Sequence, residues 1–127
     1  MKTLYEKMGG EDPLKKLVET FYDIIETDID GKIIHDLHLK GHGMNHTRVA
    51  QFEFLSGFFG GPKYYIERNG HSDIRQIHKH VEVGHAAVQA WLLCMEKAID
   101  QNGFEMSIKQ AMMKTFTHAA EIARNQE

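Results

Sequence analysis

Gly70-His71-Ser72-Asp73-Ile74-Arg75-Gln76-Ile77-His78-Lys79-His80-Val81 is the stretch on which the reading of this chain turns, and a long helical pattern carrying the only tryptophan, Trp91, follows it. Asn69-Gly70 is a turn signal, and Ser72 or Asp73 is placed to cap a short helix bearing Arg75 and His78. The segment therefore presents an imidazole, His78, just after a turn, with an indole N–H thirteen positions on. That arrangement suits an axial ligand facing a pocket, provided the rest of the chain supplies the walls. His80 competes with His78. Two residues apart on a helix, they lie roughly 200° apart, so only one of them can face a given pocket.

Working outward, the rest of the chain reads as helices. Leu4, Tyr5 and Met8 suggest a short first helix ended by Gly9-Gly10. Glu11-Asp12-Pro13 is a start signal, after which Leu14, Leu17, Val18, Phe21 and Ile25 recur at three- and four-residue spacing to about Glu26. Tyr22, four residues after Val18, falls at the edge of that stripe, where a core tyrosine commonly keeps its hydroxyl wet. Residues 28–44 are irregular, broken by Gly31, Gly41 and Gly43, with a short helix expected around Ile33, Ile34, Leu37 and Leu39. Asn45 can cap a helix through Phe59 with Val49, Phe52, Leu55 and Phe59 inside. Thr47 and Gln51 share another face with Phe54 and Phe58, an odd pairing of polar and aromatic groups unless that face has a use or meets solvent. Gly60-Gly61-Pro62 stops that helix, and a brief turn of helix follows over Lys63 to Arg68.

Beyond the opening stretch, Ala87, Trp91, Cys94, Met95 and Ala98 form one helical face that ends near Asn102-Gly103. A last helix has Ser107 as a candidate cap, with Ile108, Met112, Phe116 and Ala120 inside. No alternating strand pattern and no internal repeat occur. The expectation is an all-α fold of roughly seven helices in a single domain over residues 1–127. The net charge of −3, with Lys and Arg scattered, argues against a nucleic-acid or acidic-membrane partner. One cysteine, Cys94, excludes an internal disulfide and fits a reducing compartment. With no apolar run near the roughly 18 residues of a membrane span and no signal-peptide core, a cytoplasmic protein is expected.

Nine histidines are the compositional anomaly. His35, His38, His42 and His46 are spaced as one helix face would need for a zinc or nickel site. The glycines at 41 and 43 interrupt such a helix, and no acidic or thiol ligand completes the set. A haemless metal-binding module built on these four residues is retained as an alternative. His71, His85 and His118 are expected at the surface.

The motifs taken together resemble those of the truncated haemoglobins, specifically their second group. The resemblance runs from Leu4 to about Ala123. It rests on Gly9-Gly10, Phe21-Tyr22, Phe54-Leu55-Ser56-Gly57 leading into Gly60-Gly61-Pro62, Arg68-Asn69-Gly70-His71, and Ala90-Trp91-Leu92-Leu93-Cys94-Met95, in that order, with His78 between the last two. It implies a truncated globin fold, with two helix pairs stacked two-over-two around haem b, and it selects His78 over His80 as the iron ligand. Tyr22 then matches the distal tyrosine, Trp91 the tryptophan of the second group, His38 a variable pocket-wall position, and Thr47 and Gln51 the two distal-helix positions facing ligand. The chain departs from the family at Ile77, where arginine is common, and at Val81 and Val88-Gln89. Arg75, Lys79 or Tyr65 is then expected to meet the haem carboxylates in place of that arginine.

The chemistry implied is reversible binding of dioxygen and other small diatomics (carbon monoxide, nitric oxide). Haem iron needs a neutral axial donor on one side and a controllable cavity on the other. Tyr22 O–H, Trp91 N–H and the Gln51 amide can all donate to a ligand that gains negative charge. Three such donors favour slow release, which suits sensing or redox chemistry better than oxygen transport. The alternative is therefore a redox enzyme acting on nitric oxide, peroxide or sulfide with a reductase partner. His38 could relay a proton or reach the iron itself, or stand as a half-exposed wall residue. A monomer or weak homodimer is expected.

Overall fold

A computed structural model describes residues 2–40, 44–79 and 81–126, the side chains of 38–40 and 44–46 excepted. Among the described residues there are eight α-helices and no strand: α1 (Leu4–Met8), α2 (Glu11–Thr27), α3 (Lys32–Lys40), α4 (Met44–Phe58), α5 (Tyr64–Asn69), α6 (Ile74–His78), α7 (His85–Asn102) and α8 (Met106–Ala123), with a 3-10 turn at Ile29–Gly31 before α3. The expected count of roughly seven misses one short helix.

Sequence chemistry accounts for the element ends. Thr3 and Glu6 form a reciprocal capping box on α1, and Gly9 closes it at φ 108°, in the left-handed region. Asp73, rather than Ser72, caps α6, its carboxylate accepting from the amides of Arg75 (3.0 Å) and Gln76 (3.3 Å). Two expected caps are corrected. The fourth helix begins at Met44, which puts Asn45 inside it, and the last begins at Met106 behind Glu105, which puts Ser107 inside it. At Gly61 a Cβ would meet the Tyr5 ring at 2.5 Å, so only glycine lets the loop after α4 pass under α1.

The long helices pack as two pairs, α2 with α4 and α7 with α8, and α2 lies across α7 as the main join between them. Leu14, Leu17, Val18, Phe21 and Ile25 on α2 are buried as the periodicity predicts, and so are Cys94, Met95, Ala98 and Ile99 of α7, the helix that α2 packs on. Aromatic rings tie the pairs together. Phe21 packs on Trp91 at 5.1 Å between centroids, Trp91 on Phe116 at 5.2 Å, and Phe116 on Phe59 at 5.3 Å. Fully burying one such side chain is worth about 1.5–3 kcal/mol. No helix is long and apolar enough to cross a membrane, among the described residues.

Val49 overturns one expectation: it is 56% exposed rather than inside. At 100° per residue it sits roughly 200° round α4 from Thr47, whereas Gln51, Phe54 and Phe58 fall within about 40° of Thr47. The mixed polar and aromatic stripe is thus an inner face of α4, and the apolar valine is the outlier on its solvent side.

Candidate functional site

Between the two helix pairs lies a cavity of about 420 Å³. Its walls come from nearly every helix: Ile34 and Leu37 from α3, Thr47, Gln51, Phe54 and Phe58 from α4, Tyr65 from α5, Ile74, Ile77 and His78 from α6, Ala87, Val88 and Trp91 from α7, and Phe116 and Ala120 from α8. The lining is mostly apolar with a few converging polar groups, the usual character of a cofactor site.

His78 ends α6 and is half-buried. Its Nδ1 stands 2.8 Å from the Ile74 carbonyl oxygen one turn back. A carbonyl only accepts, so Nδ1 carries the proton, and in the neutral ring the lone pair belongs to Nε2. The loop after α6 is fastened from the far end of the chain. Asn125 Nδ2 donates to the carbonyls of His78 (3.2 Å) and Val81 (2.9 Å), while its Oδ1 accepts from the Val83 amide at 2.8 Å.

On the opposite wall Thr47 and Gln51 both reach the cavity from α4. Tyr22 does not line it. Its side chain is fully buried, against the expectation of a wet hydroxyl, and its O–H donates to Gln51 Oε1 at 3.3 Å. Burial holds this phenol well above the usual tyrosine range, the Arg48 guanidinium nearby offsetting part of the rise. Tyr22 thus stands behind Gln51, and a phenol that donates to the amide oxygen leaves the amide NH₂ to face another way. Trp91 lines the cavity from α7, and its indole N–H meets no acceptor among the described residues.

Of the residues expected at the haem carboxylates, only Tyr65 reaches the cavity, its ring edge-on to Phe54 at 5.7 Å. Arg75 and Lys79 are exposed and line a separate open groove with Arg124. The reason is geometric: Ile74, Ile77 and His78 turn one face of the short α6 inward, and Arg75 and Lys79 sit roughly 100° and 140° round from Ile74. His71 is half-buried rather than a plain surface residue, its Nδ1 accepting from the Asp73 amide at 3.1 Å. The side chain of His38, like those of His42 and His46, and the whole of His80, lies outside the described residues. Among those described, no group of three metal-binding side chains gathers.

Two residues that shape the site escape a reading of the sequence. Asn125 lies 47 residues beyond His78 in a terminal segment with no motif. Arg48 looks like any helix-surface cation, yet it bridges Glu19, Asp23 and Glu26 of α2. The spacing of those three carboxylates, on one face of α2 beside Tyr22, is the only signal that could have pointed to it.

Comparison with known proteins fits this geometry. The family model described as "Bacterial-like globin" matches residues 3–125. Over 106 residues the chain is 34% identical to the group 2 truncated hemoglobin YjbI of Bacillus subtilis, covering 84% of this chain and 76% of that one. The chain belongs to the bacterial-like globins, as a group II truncated haemoglobin. Among solved structures, this truncated haemoglobin superposes on the group II 2-on-2 hemoglobin of Agrobacterium tumefaciens with a TM-score of 0.92 at 27% identity, over 100% of this chain and 97% of that one. It superposes on the cold-adapted truncated hemoglobin of Pseudoalteromonas haloplanktis TAC125 with a TM-score of 0.91 at 31% identity, over 99% and 100% respectively. The two-over-two globin fold and a haem-dependent, ligand-binding globin role follow from this membership.

Proposed function

We propose that the chain, acting as a single domain, holds haem b in this cavity through His78 and reversibly binds dioxygen and other small diatomics. The observation that carries the reading is the placement of His78: its ring lines an apolar, cofactor-sized space while its Nδ1–H is donated to the Ile74 carbonyl, the kind of second hydrogen bond that orients a metal-ligating imidazole. The Trp91 indole supports it independently, since a half-buried indole that lines the cavity and donates to no acceptor among the described residues suits a ligand that brings one.

Haem b, when bound, would supply an iron centre able to bind a diatomic molecule. Everything else is the protein's work. His78 would hold the iron, oriented by Ile74 and by the Asn125 fastening of its loop. The Gln51 amide and Trp91 N–H donate to negative charge gathering on a small ligand, and Thr47 adds a hydroxyl on the same wall. Tyr22 orients Gln51 from behind rather than reaching the ligand itself. Tyr65 is the haem-carboxylate contact that the cavity favours over Arg75 and Lys79. The phenylalanines and valines around these groups keep the site dry, which strengthens each hydrogen bond within it.

The test is expression with haem supply followed by optical and resonance Raman spectroscopy. A Soret band that depends on His78, and a ferrous–CO stretch that responds to Gln51→Leu and Trp91→Phe, is expected. A Soret band unaffected by His78→Ala would overturn the assignment.

A further inference from the structure

We propose that Arg48 is the positioning residue of the distal wall: its guanidinium, anchored across the α2–α4 seam, holds Tyr22 and Gln51 at the spacing that turns the Gln51 amide donor toward the ligand. The proposal rests on the reading of Gln51 as a ligand-facing donor and adds what keeps it so.

Three observations meet at this side chain. First, Nη1 of Arg48 lies 2.8 Å from Glu19 Oε2, and Nη2 lies 3.1 Å from Asp23 Oδ1 and 2.6 Å from Glu26 Oε2. Those carboxylates project from one ridge of α2 at spacings of four and three, where like charges repel unless a cation sits among them. A planar fork with five donors can satisfy several carboxylates at once, and a lysine ammonium cannot match that geometry. Second, the Arg48 side chain is only 15% exposed, and its guanidinium carbon lies 5.7 Å from the centroid of the Tyr22 ring, within cation–π range. Tyr22 lies on the same face of α2, three residues after Glu19 and four before Glu26. Third, Arg48 adjoins Thr47 and precedes Gln51 by three residues on α4, so any slip of Arg48 along α2 carries both ligand-facing residues with it.

The consequence is directional. While the seam is held, Tyr22 O–H meets Gln51 Oε1 at 3.3 Å and the amide NH₂ is left for the cavity. If the seam loosens, the amide can rotate and present its oxygen instead, an acceptor that repels a ligand gathering negative charge.

The test uses the haem-loaded protein and four variants: Arg48→Met, Arg48→Lys, Tyr22→Phe and the double variant Arg48→Met/Tyr22→Phe. The readouts are the ferrous–CO stretching band, the dioxygen dissociation rate and the thermal midpoint. Arg48→Met is expected to speed dioxygen release roughly five- to tenfold, the size of one lost hydrogen bond, and to move the CO band in the direction Tyr22→Phe moves it. The double variant is expected to match Tyr22→Phe alone, because Arg48 acts through that ring. Arg48→Lys should keep less than half of the wild-type effect, and it carries the test if Arg48→Met does not fold. A merely structural arginine would lower the midpoint and leave the band in place, and the proposal would be overturned. It would also fall if the Arg48 and Tyr22 effects multiplied. If Tyr22→Phe itself left the band and the release rate at wild-type values, the reading of the distal wall would be what had failed.

Discussion

The two walls of the cavity are built on opposite plans. On the His78 side the helix is only five residues long, too short to persist by its own propensity, and it leans on contacts from outside itself. Asp73 caps its start, the Ile74 carbonyl orients its imidazole, and Asn125 clips its exit from the far end of the chain. On the Gln51 side two long helices, α2 and α4, are rigid through their buried stripes, and the fine geometry lies in side-chain pairs between them. The polar contacts on the His78 side therefore go largely to the backbone, and those on the Gln51 side go to other side chains. Damage to the first should loosen the cofactor, and damage to the second should change how ligands bind while leaving the cofactor in place.

The strongest way to break that division is His78→Ala. It should abolish stable haem retention, exceeding the roughly 10–100-fold loss typical of an outer partner of a metal ligand. Haem content per chain and the Soret position check it. Haem retained through another histidine would mean the proximal wall is not where the cofactor is held. Asn125→Ala comes next. Removing hydrogen bonds to two carbonyls and one amide should cost about 1–3 kcal/mol in unfolding free energy. Haem loss to an acceptor globin should quicken with it, whereas the ferrous–CO band should stay put. Gln51→Leu is the mirror image: roughly tenfold faster dioxygen release, about one hydrogen bond in a dry site, with haem content unchanged.

That same division explains how much could be read from the chain. The α2 stripe, the glycine stops and the burial of Phe116 and Met112 follow from local periodicity, and all are visible without a structure. His78 became distinguishable from His80 only through the motifs around it. Val49 departs from the pattern because apolar character does not mean inwardness on a helix whose inner stripe is partly polar. Charge alone does not tell on which side of so short a helix Arg75 and Lys79 fall, and its rotation puts them at a separate groove. Arg48 and Asn125 act across separations of 22 to 47 residues, and no local pattern encodes such a pairing.

A smaller effect sharpens the proximal half. Asp73→Ala should cost about 1 kcal/mol, the usual worth of a helix cap, measured by chemical denaturation of the haem-loaded protein. Haem retention should fall less than in Asn125→Ala, because the Ile74 bond to His78 survives a frayed first turn. Equal losses in the two variants would place the weight of the proximal wall on the cap and not on the terminal clip.

The smallest effect expected is none at all, and it tests the distal half. Burial holds the Tyr22 phenol well above its ordinary value of 10.0, so the hydroxyl stays protonated while exposed tyrosines ionise. The bond to Gln51 should therefore persist, and the ferrous–CO band should stay constant from neutral pH up to about 10. Beyond that the consequence passes to stability. The unfolded chain releases this proton near 10.0, whereas the folded chain keeps it, so the folded state binds more protons in that window. Stability from this group is fully present below pH 10 and declines as pH rises toward the folded value, which a denaturation midpoint followed upward from pH 9 should record. Tyr22→Phe should remove that part of the alkaline decline. A band that drifted below pH 10 in wild type but not in Tyr22→Phe would show the phenol ionising early, and with it a distal wall less dry than its packing implies.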